Sequence, residues 1–153
     1  MRIVVATDLT DASADAARYA VRRARQLSLG ITVVHVVGSQ DVDVLPLVSH
    51  RYQIHEPEPA GQSVVDDAKA DFARESRAWF EETVDDLDGI DVDHAVEFGD
   101  LPEVLWRIAS EKDARIVVVG VKGRQSVGRK LSRILLDATR PVVVVRQGTL
   151  AEA

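Results

Sequence analysis

The 153-residue chain contains no cysteine, and this absence excludes several kinds of chemistry. Disulfides, thiol nucleophiles and cysteine-ligated zinc or iron–sulfur sites are not available to it. A domain of this length buries roughly 68–70% of the surface of its unfolded chain, so it needs no cross-link for stability. Because the lack of cysteine fits a reducing compartment, we expect a cytoplasmic protein.

Long apolar runs and an excess of positive charge are also missing. No stretch approaches the roughly 20 apolar residues that cross a bilayer, and the opening residues MRIVVATD include an acidic side chain, which is unlike a signal peptide. The formal net charge is −6, whereas proteins that bind nucleic acid present a basic surface to the phosphates. We therefore expect neither a membrane nor a nucleic acid as a partner.

Apolar, β-branched segments alternate with helical patterns along the chain. This alternation predicts an α/β fold with one open, doubly wound parallel sheet and helices on both faces. The predicted strands are Arg2–Thr7, Ile31–Val37, Val92–Phe98, Ile116–Gly120 and Val142–Arg146, of which the third is the candidate for a sheet edge. The predicted helices cover about Asp11–Leu29, Ser63–Leu87, Leu101–Lys112 and Arg129–Ala138.

Local signals predict where these helices begin and end. Gly30 is the expected C-terminal stop of the first helix. Ser63 with Asp66 resembles a capping box at the start of the second helix. Asp100 is a favourable N-cap for the third helix.

The chain is predicted to form a single domain over residues 1–147, followed by a tail over 148–153. Residues 38–62 form an irregular, proline-containing insert of the kind that is functional, disordered or partner-facing. His50 and His55 lie in this insert, but their spacing matches no known ligand set, and we expect no metal site.

Ligands of doubly wound sheets bind beyond the carboxyl ends of the strands, where the strand order reverses. At this edge the fold brings together three strand ends and a glycine-rich loop that follows the fourth strand. The candidate residues are Thr7, Asp8, Val36, Val37, Gly120, Lys122, Gly123, Arg124, Gly128 and Arg129. Because backbone N–H groups beside fixed cations bind phosphate, the loop is predicted to form an anion site.

Each candidate also has a purely structural interpretation. Asp8 is suited to an Asx turn that satisfies the following N–H groups, which is compatible with a binding role. His35, inside an apolar strand, is expected to be a hydrogen-bonded core residue. The cations Lys122, Arg124, Arg129, Lys130 and Arg133 form either an anion site or a solvated face that pairs with Asp137.

Four motifs in order resemble the universal stress protein family over nearly the whole chain. They are Val4–Ser13, Gly99–Pro102, Asp113–Arg124 with its strand and Gly-x2-Gly-Arg, and Pro141–Val145. The resemblance implies a Rossmann-like, adenine nucleotide α-hydrolase-like sheet with strand order 3-2-1-4-5. It also implies a cytoplasmic stress-response protein that forms homodimers through its last strand, here Val142, Val143, Val144 and Val145.

Some members of that family bind ATP through Gly-x2-Gly-x9-Gly-[Ser/Thr], with an aspartate that matches Asp8 near the adenine. This chain has Gly120-x2-Gly123-x4-Gly128-Arg129, a spacing five residues shorter, with arginine in place of the hydroxyl residue. The resemblance implies binding of ATP, with Mg²⁺, or of another adenine nucleotide through this shortened loop. The alternative is a nucleotide-independent homodimer with a vestigial loop and an unknown protein partner.

Catalysis has little support in the sequence. The glycine-rich loop lacks the Gly-Lys-[Ser/Thr] of a P-loop and follows the fourth strand instead of the first. No nucleophile elbow is present, and no residues assemble a nucleophile, a base and an orienting group. We therefore expect a binding protein rather than an enzyme, with slow hydrolysis of bound nucleotide as a remaining option.

Overall fold

Strands and helices alternate throughout the computed structural model, which describes residues 1–38, 59–122 and 128–148. The strands are β1 (Arg2–Thr7), β2 (Gly30–Val37), β3 (Val92–Phe98), β4 (Ala114–Val121) and β5 (Val142–Arg146). The helices are α1 (Asp11–Leu27), α2 (Pro59–Thr83), α3 (Leu101–Glu111) and α4 (Arg129–Leu136). Each of these elements coincides with a predicted one to within a few residues.

The sheet has the order β3-β2-β1-β4-β5, and every strand pair in it is parallel. This confirms three predictions: the α/β fold class, the strand order 3-2-1-4-5 and the position of β3 at an edge of the sheet. The chain builds the sheet outward from β1 to β3 and then returns to place β4 on the other side of β1. The strand order therefore reverses between β1 and β4, in the middle of the sheet.

Apolar residues fill both faces of the sheet. Along β1, Ile3 and Val5 pack against α1 and α2, while Val4 and Ala6 pack against α3 and α4. Successive side chains of a strand point to opposite faces, so a strand covered on both sides needs an unbroken apolar run. This explains why the central strands show no alternation in the sequence.

Two predicted helix signals are wrong. Helix α1 ends at Ser28, which adopts the left-handed conformation (φ 55°, ψ 45°), whereas Gly30 already pairs with Arg2 in the sheet. The lack of a side chain at Gly30 leaves room for Arg2, because a Cβ there would lie 2.6 Å from the Arg2 guanidinium. Helix α2 begins at Pro59, so Ser63 lies within it and does not cap it. Proline is favoured in a first turn because its missing N–H would have no partner there.

The predicted N-cap of α3 is confirmed. Asp100 has extended backbone angles, and its carboxylate accepts a hydrogen bond from the Glu103 N–H at 3.3 Å. The preceding Gly99 has φ +146°, a conformation that other residues rarely adopt.

The two edges of the sheet differ in chemistry. Ion pairs lie along β3, where Lys112 meets Asp93 at 2.9 Å and Glu97 accepts from Lys69 at 3.0 Å. At the opposite edge, Val144 of β5 is 41% exposed. Charged side chains protect a strand edge from pairing with another chain, whereas apolar ones do not.

Arg2 connects the first residues of the three strands on one side of the sheet. Its guanidinium donates to the Thr32 hydroxyl at 2.9 Å, to the Asp91 carboxylate at 2.7 Å and to the Ile31 carbonyl at 2.6 Å. It also pairs with Asp93 at 3.3 Å. The Arg2 side chain is only 18% exposed, and its bonds to Thr32 and Ile31 are partly buried, whereas its partner Asp91 is 81% exposed.

The residues around Asp93 stabilise its ionised form. Burial alone would raise the pKa of Asp93, but hydrogen bonds from Thr32 and Lys112 and the charges of Arg2 and Lys112 outweigh it and lower the pKa. The ionised form is therefore favoured in the folded protein, and the stability it contributes is lost as the pH falls below about 4.

We expect Arg2→Met to lower the free energy of unfolding by about 2–3 kcal/mol, because it leaves several polar partners without a donor. Arg115→Met is the matched control. Arg115 is exposed on β4, so the change there is expected to stay within about 0.5 kcal/mol. Urea unfolding followed by circular dichroism measures both values, and equal losses in the two variants would contradict the role given to Arg2.

Candidate functional site

A cavity of about 340 Å³ lies at the carboxyl ends of β1 and β4, where the strand order reverses. This volume is in the range of small-molecule sites, which is roughly 300–1,000 Å³. The residues that line it are Ala6, Thr7, Asp8, Ala12, Ser13, Val36, Gly38, Leu101, Val119, Gly120, Lys130, Leu131 and Ile134. Four of the predicted site residues, Thr7, Asp8, Val36 and Gly120, are among them.

The turn between β1 and α1 forms the polar side of the cavity. Asp8 Oδ1 accepts hydrogen bonds from the Thr10 N–H at 3.0 Å, the Thr10 hydroxyl at 2.5 Å and the Ser13 hydroxyl at 3.0 Å. The contact with the Thr10 N–H confirms the Asx turn that the sequence offered as an interpretation of Asp8. Leu9, within this turn, has φ 64°, an uncommon conformation for a residue with a side chain.

The buried hydroxyls of Thr7 and Ser13 stabilise this turn. Thr7 Oγ1 lies 2.9 Å from Ser13 Oγ and accepts from the Leu9 N–H at 2.9 Å. Both Thr7 and Ser13 are less than 10% exposed. The cavity is therefore lined on this side by a fixed set of hydroxyl and carboxylate oxygens.

Gly120 determines how closely α1 approaches the sheet. A Cβ at this position would lie 2.4 Å from the Ala12 carbonyl oxygen and 2.9 Å from the Ser13 Cα. No side chain fits there, so the first turn of α1 packs directly on the backbone of β4. Gly128 differs, because its φ is −69° and a Cβ would meet nothing within 4 Å.

The opposite walls of the cavity are apolar. They come from Val36, Leu101, Val119, Leu131 and Ile134, on β2, α3, β4 and α4. An apolar wall opposite a few fixed polar groups is the usual composition of a small-molecule site.

Val37 is not a wall residue, although the sequence analysis placed it in the crevice. It is 5% exposed, and successive strand residues point to opposite faces. Its carbonyl accepts from the Gly99 N–H at 3.0 Å.

The predicted cluster of cations is divided in the structure. Lys130 lines the cavity, whereas Lys122 and Arg129 are exposed and not among its wall residues. Arg133 pairs with Asp100 through two hydrogen bonds of 2.9 and 2.8 Å. These bonds lower the pKa of Asp100. Arg133 therefore pairs directly with the cap of α3, whereas Asp137, named in the solvated-face interpretation, acts on Arg133 through its charge. Gly123 and Arg124 lie outside the described residues.

Several wall residues were not predicted from the sequence. Leu131 and Ile134 have no distinguishing motif, because they resemble any apolar residues of an amphipathic helix. Ser13 carried a signal, since a small polar residue in the first turn after Asp8 is suited to hydrogen-bond it. Lys130 was considered only as a member of the cationic cluster.

A histidine of β2 contacts the end of β1 that carries Thr7. His35 Nδ1 lies 3.0 Å from the Thr7 carbonyl oxygen and its ring contacts Phe72, which confirms the expected hydrogen-bonded core histidine.

Within the described part of the chain, no three His, Asp or Glu side chains are grouped to hold a metal ion. None of the helices described is long and apolar enough to cross a bilayer.

The fold and cavity define a doubly wound α/β protein with a ligand-sized site at its switch point. A model of the "Universal stress protein family" matches residues 1–146. The chain therefore belongs to the universal stress protein family, as its motifs indicated. No protein with a curated description matches the sequence significantly.

Solved structures of the same family share the fold. Universal stress protein UspA from Lactobacillus plantarum is 19% identical with a TM-score of 0.64, and the match covers 95% of this chain and 97% of that one. The universal stress protein from Archaeoglobus fulgidus in complex with dAMP is 19% identical with a TM-score of 0.60, over 95% and 97% of the two chains. A universal stress protein in complex with cAMP is 15% identical with a TM-score of 0.58, again over 95% and 97%.

We expect Gly120→Ala to lower the free energy of unfolding by about 1–3 kcal/mol, because its methyl group would push α1 away from β4. Gly128→Ala is the matched control and is expected to cost less than about 1 kcal/mol, since that position has room and an ordinary φ. Thermal and urea unfolding of both variants test this. Equal stability of the two would show that α1 does not pack so closely on β4.

Proposed function

We propose that this protein is a cytoplasmic stress-response binding module that takes an adenine nucleotide into the cavity at the β1–β4 switch point. The observation that carries the proposal is the cavity itself, which joins apolar walls, a fixed carboxylate and a lysine in one space of about 340 Å³. The proposal concerns binding. No set of residues for catalysis was recognised in the sequence.

The chemistry of the cavity fits the parts of an adenine nucleotide. The apolar walls, with Val36 and Leu101 among them, suit the faces of a heteroaromatic base. The Asp8 carboxylate accepts hydrogen bonds only, which suits the exocyclic amine of adenine or a ribose hydroxyl. Lys130 brings one positive charge to the cavity and suits a phosphate.

The family comparisons support the same ligand class. Two structures that share the fold are described as complexes with dAMP and with cAMP. If ATP is bound, we propose that its phosphates bring the Mg²⁺, since the described residues contain no cluster of three His, Asp or Glu side chains that could hold a metal ion. The exposed Lys122 and Arg129 are then further candidates for the outer phosphates.

We expect isothermal titration calorimetry to detect AMP, cAMP or Mg²⁺–ATP at sub-millimolar concentration. Lys130→Ala is expected to weaken AMP binding about fivefold, equivalent to roughly 1 kcal/mol, and to leave adenosine binding unchanged. Arg107→Ala, which removes an exposed cation of α3 outside the cavity, is the control and should leave both unchanged. Absence of heat from the wild type with all three nucleotides would overturn the proposal.

The edge of β5 favours a second candidate function, a homodimer that binds a protein partner without nucleotide. Val144 is 41% exposed on this edge, and Leu136 at the end of α4 is 84% exposed. Two copies that pair through β5 would satisfy the free backbone groups of the strand and bring the two Val144 side chains to the contact. The partner would then bind irrespective of nucleotide.

We expect the wild type to sediment as a dimer at micromolar concentration and Val144→Lys to sediment as a monomer, because the charge prevents pairing of the two edges. Arg115→Lys, at an exposed position of the interior strand β4, is the control and should remain dimeric. A monomeric wild type would contradict pairing through β5.

A further inference from the structure

The charged groups in and beside the cavity are balanced in sign. Among the described residues that line it, the charged ones are Asp8 and Lys130. Arg133 lies one helical turn after Lys130 on α4, but its guanidinium donates two hydrogen bonds, of 2.9 and 2.8 Å, to the two carboxylate oxygens of Asp100. This bidentate pairing occupies a cation that could otherwise meet a bound phosphate.

Asp100 lies beside the wall of the cavity. It directly precedes the wall residue Leu101, and its partner Arg133 directly precedes the wall residue Ile134. The pKa of Asp100 is lowered mainly by its hydrogen bonds with Arg133 and also by the charge of Lys130. Asp100 and Lys130 therefore lie within electrostatic range of each other. A phosphate that pairs with Lys130 would also be repelled by the negative charge of Asp100.

The ion pair of Asp100 with Arg133 is not the only contact that holds α4 on α3. Trp106 Nε1 donates a hydrogen bond to the Ile134 carbonyl oxygen at 3.1 Å, and the Ile134 side chain is buried. The side chains of Asp100 and Arg133 are 37% and 53% exposed, and exposed ion pairs contribute little to stability. We therefore expect Asp100 to act on a ligand through its charge and not through the position of α4.

The size of the cavity favours a small ligand as well. Its volume of about 340 Å³ is near the lower end of the range for small-molecule sites. ADP and ATP are larger than AMP and carry successively more negative charge. We propose that Asp100 is a specificity-determining residue, whose charge beside the cavity favours adenine nucleotides with one phosphate, such as AMP and cAMP, over ATP. This inference rests on the proposed function, because it names the preferred ligands within the class assigned to the same cavity.

Calorimetry with adenosine, AMP and ATP, without Mg²⁺ and at about 0.1 M salt, tests the proposal. We expect the wild type to bind AMP about threefold more tightly than ATP. Asp100→Asn removes the charge and keeps a favourable N-cap for α3. It is expected to strengthen AMP binding about twofold and ATP binding about sixfold, because the effect of a fixed charge grows with the charge of the ligand. Adenosine binding should stay unchanged.

Arg133→Met is the reciprocal variant and is expected to weaken AMP and ATP binding by similar factors. The double variant Asp100→Asn/Arg133→Met restores the charge balance and should bind each ligand within about twofold of the wild type. A displaced α4 would instead weaken binding in both single variants and in the double variant. Glu111→Gln removes an exposed carboxylate at the other end of α3. It is the matched control and should leave all three affinities unchanged.

The outcomes separate the two proposals. A wild type that binds ATP more tightly than AMP, or a ratio of the two affinities that Asp100→Asn leaves unchanged, overturns the role of Asp100 while nucleotide binding stands. A wild type that binds neither nucleotide overturns both. Raising the salt to about 0.5 M should reduce the effects of the single substitutions, because salt screens exposed charges. Effects that salt leaves unchanged would contradict a role through charge.

Discussion

The Arg2 guanidinium fixes the starting ends of β1, β2 and β3 relative to one another, and the rest of the structure depends on this alignment. Its contacts with Thr32, Asp91 and the Ile31 carbonyl join residues that are far apart in the sequence. In a parallel sheet, strands that start in register also end near one another. These contacts lie at the end of the sheet opposite the cavity, and Arg2, Thr32 and Asp91 are not among the residues that line it.

A second constraint acts at the cavity itself. Because Gly120 has no side chain, the first turn of α1 packs on the backbone of β4 and carries Ser13 to within hydrogen-bonding distance of Thr7 and Asp8. The polar side of the cavity therefore follows from close packing of a helix on a strand. The sequence analysis included Gly120 in a predicted anion site. In the structure, Gly120 allows the close packing of α1 on β4, and this role does not depend on any ligand.

The strands and their order were predictable because buried β-branched runs carry their signal locally and the family motifs occur in a fixed order. The partner of Arg133 was not, because Asp100 lies 33 residues away in the sequence and only tertiary structure brings them together. The same reason applies to the apolar walls, since Leu131 and Ile134 belong to a short helix whose placement no local pattern reveals.

The unequal chemistry of the two sheet edges has a consequence for assembly. The ion pairs of Lys112 with Asp93 and of Lys69 with Glu97 protect the β3 edge, whereas β5 offers exposed valine. A sheet with two open edges can add copies indefinitely and form fibres, but a sheet with one open edge is complete after a single addition. If copies of this chain pair through β5, as proposed above, the charged β3 edge would therefore leave a closed, two-fold assembly as the expected result.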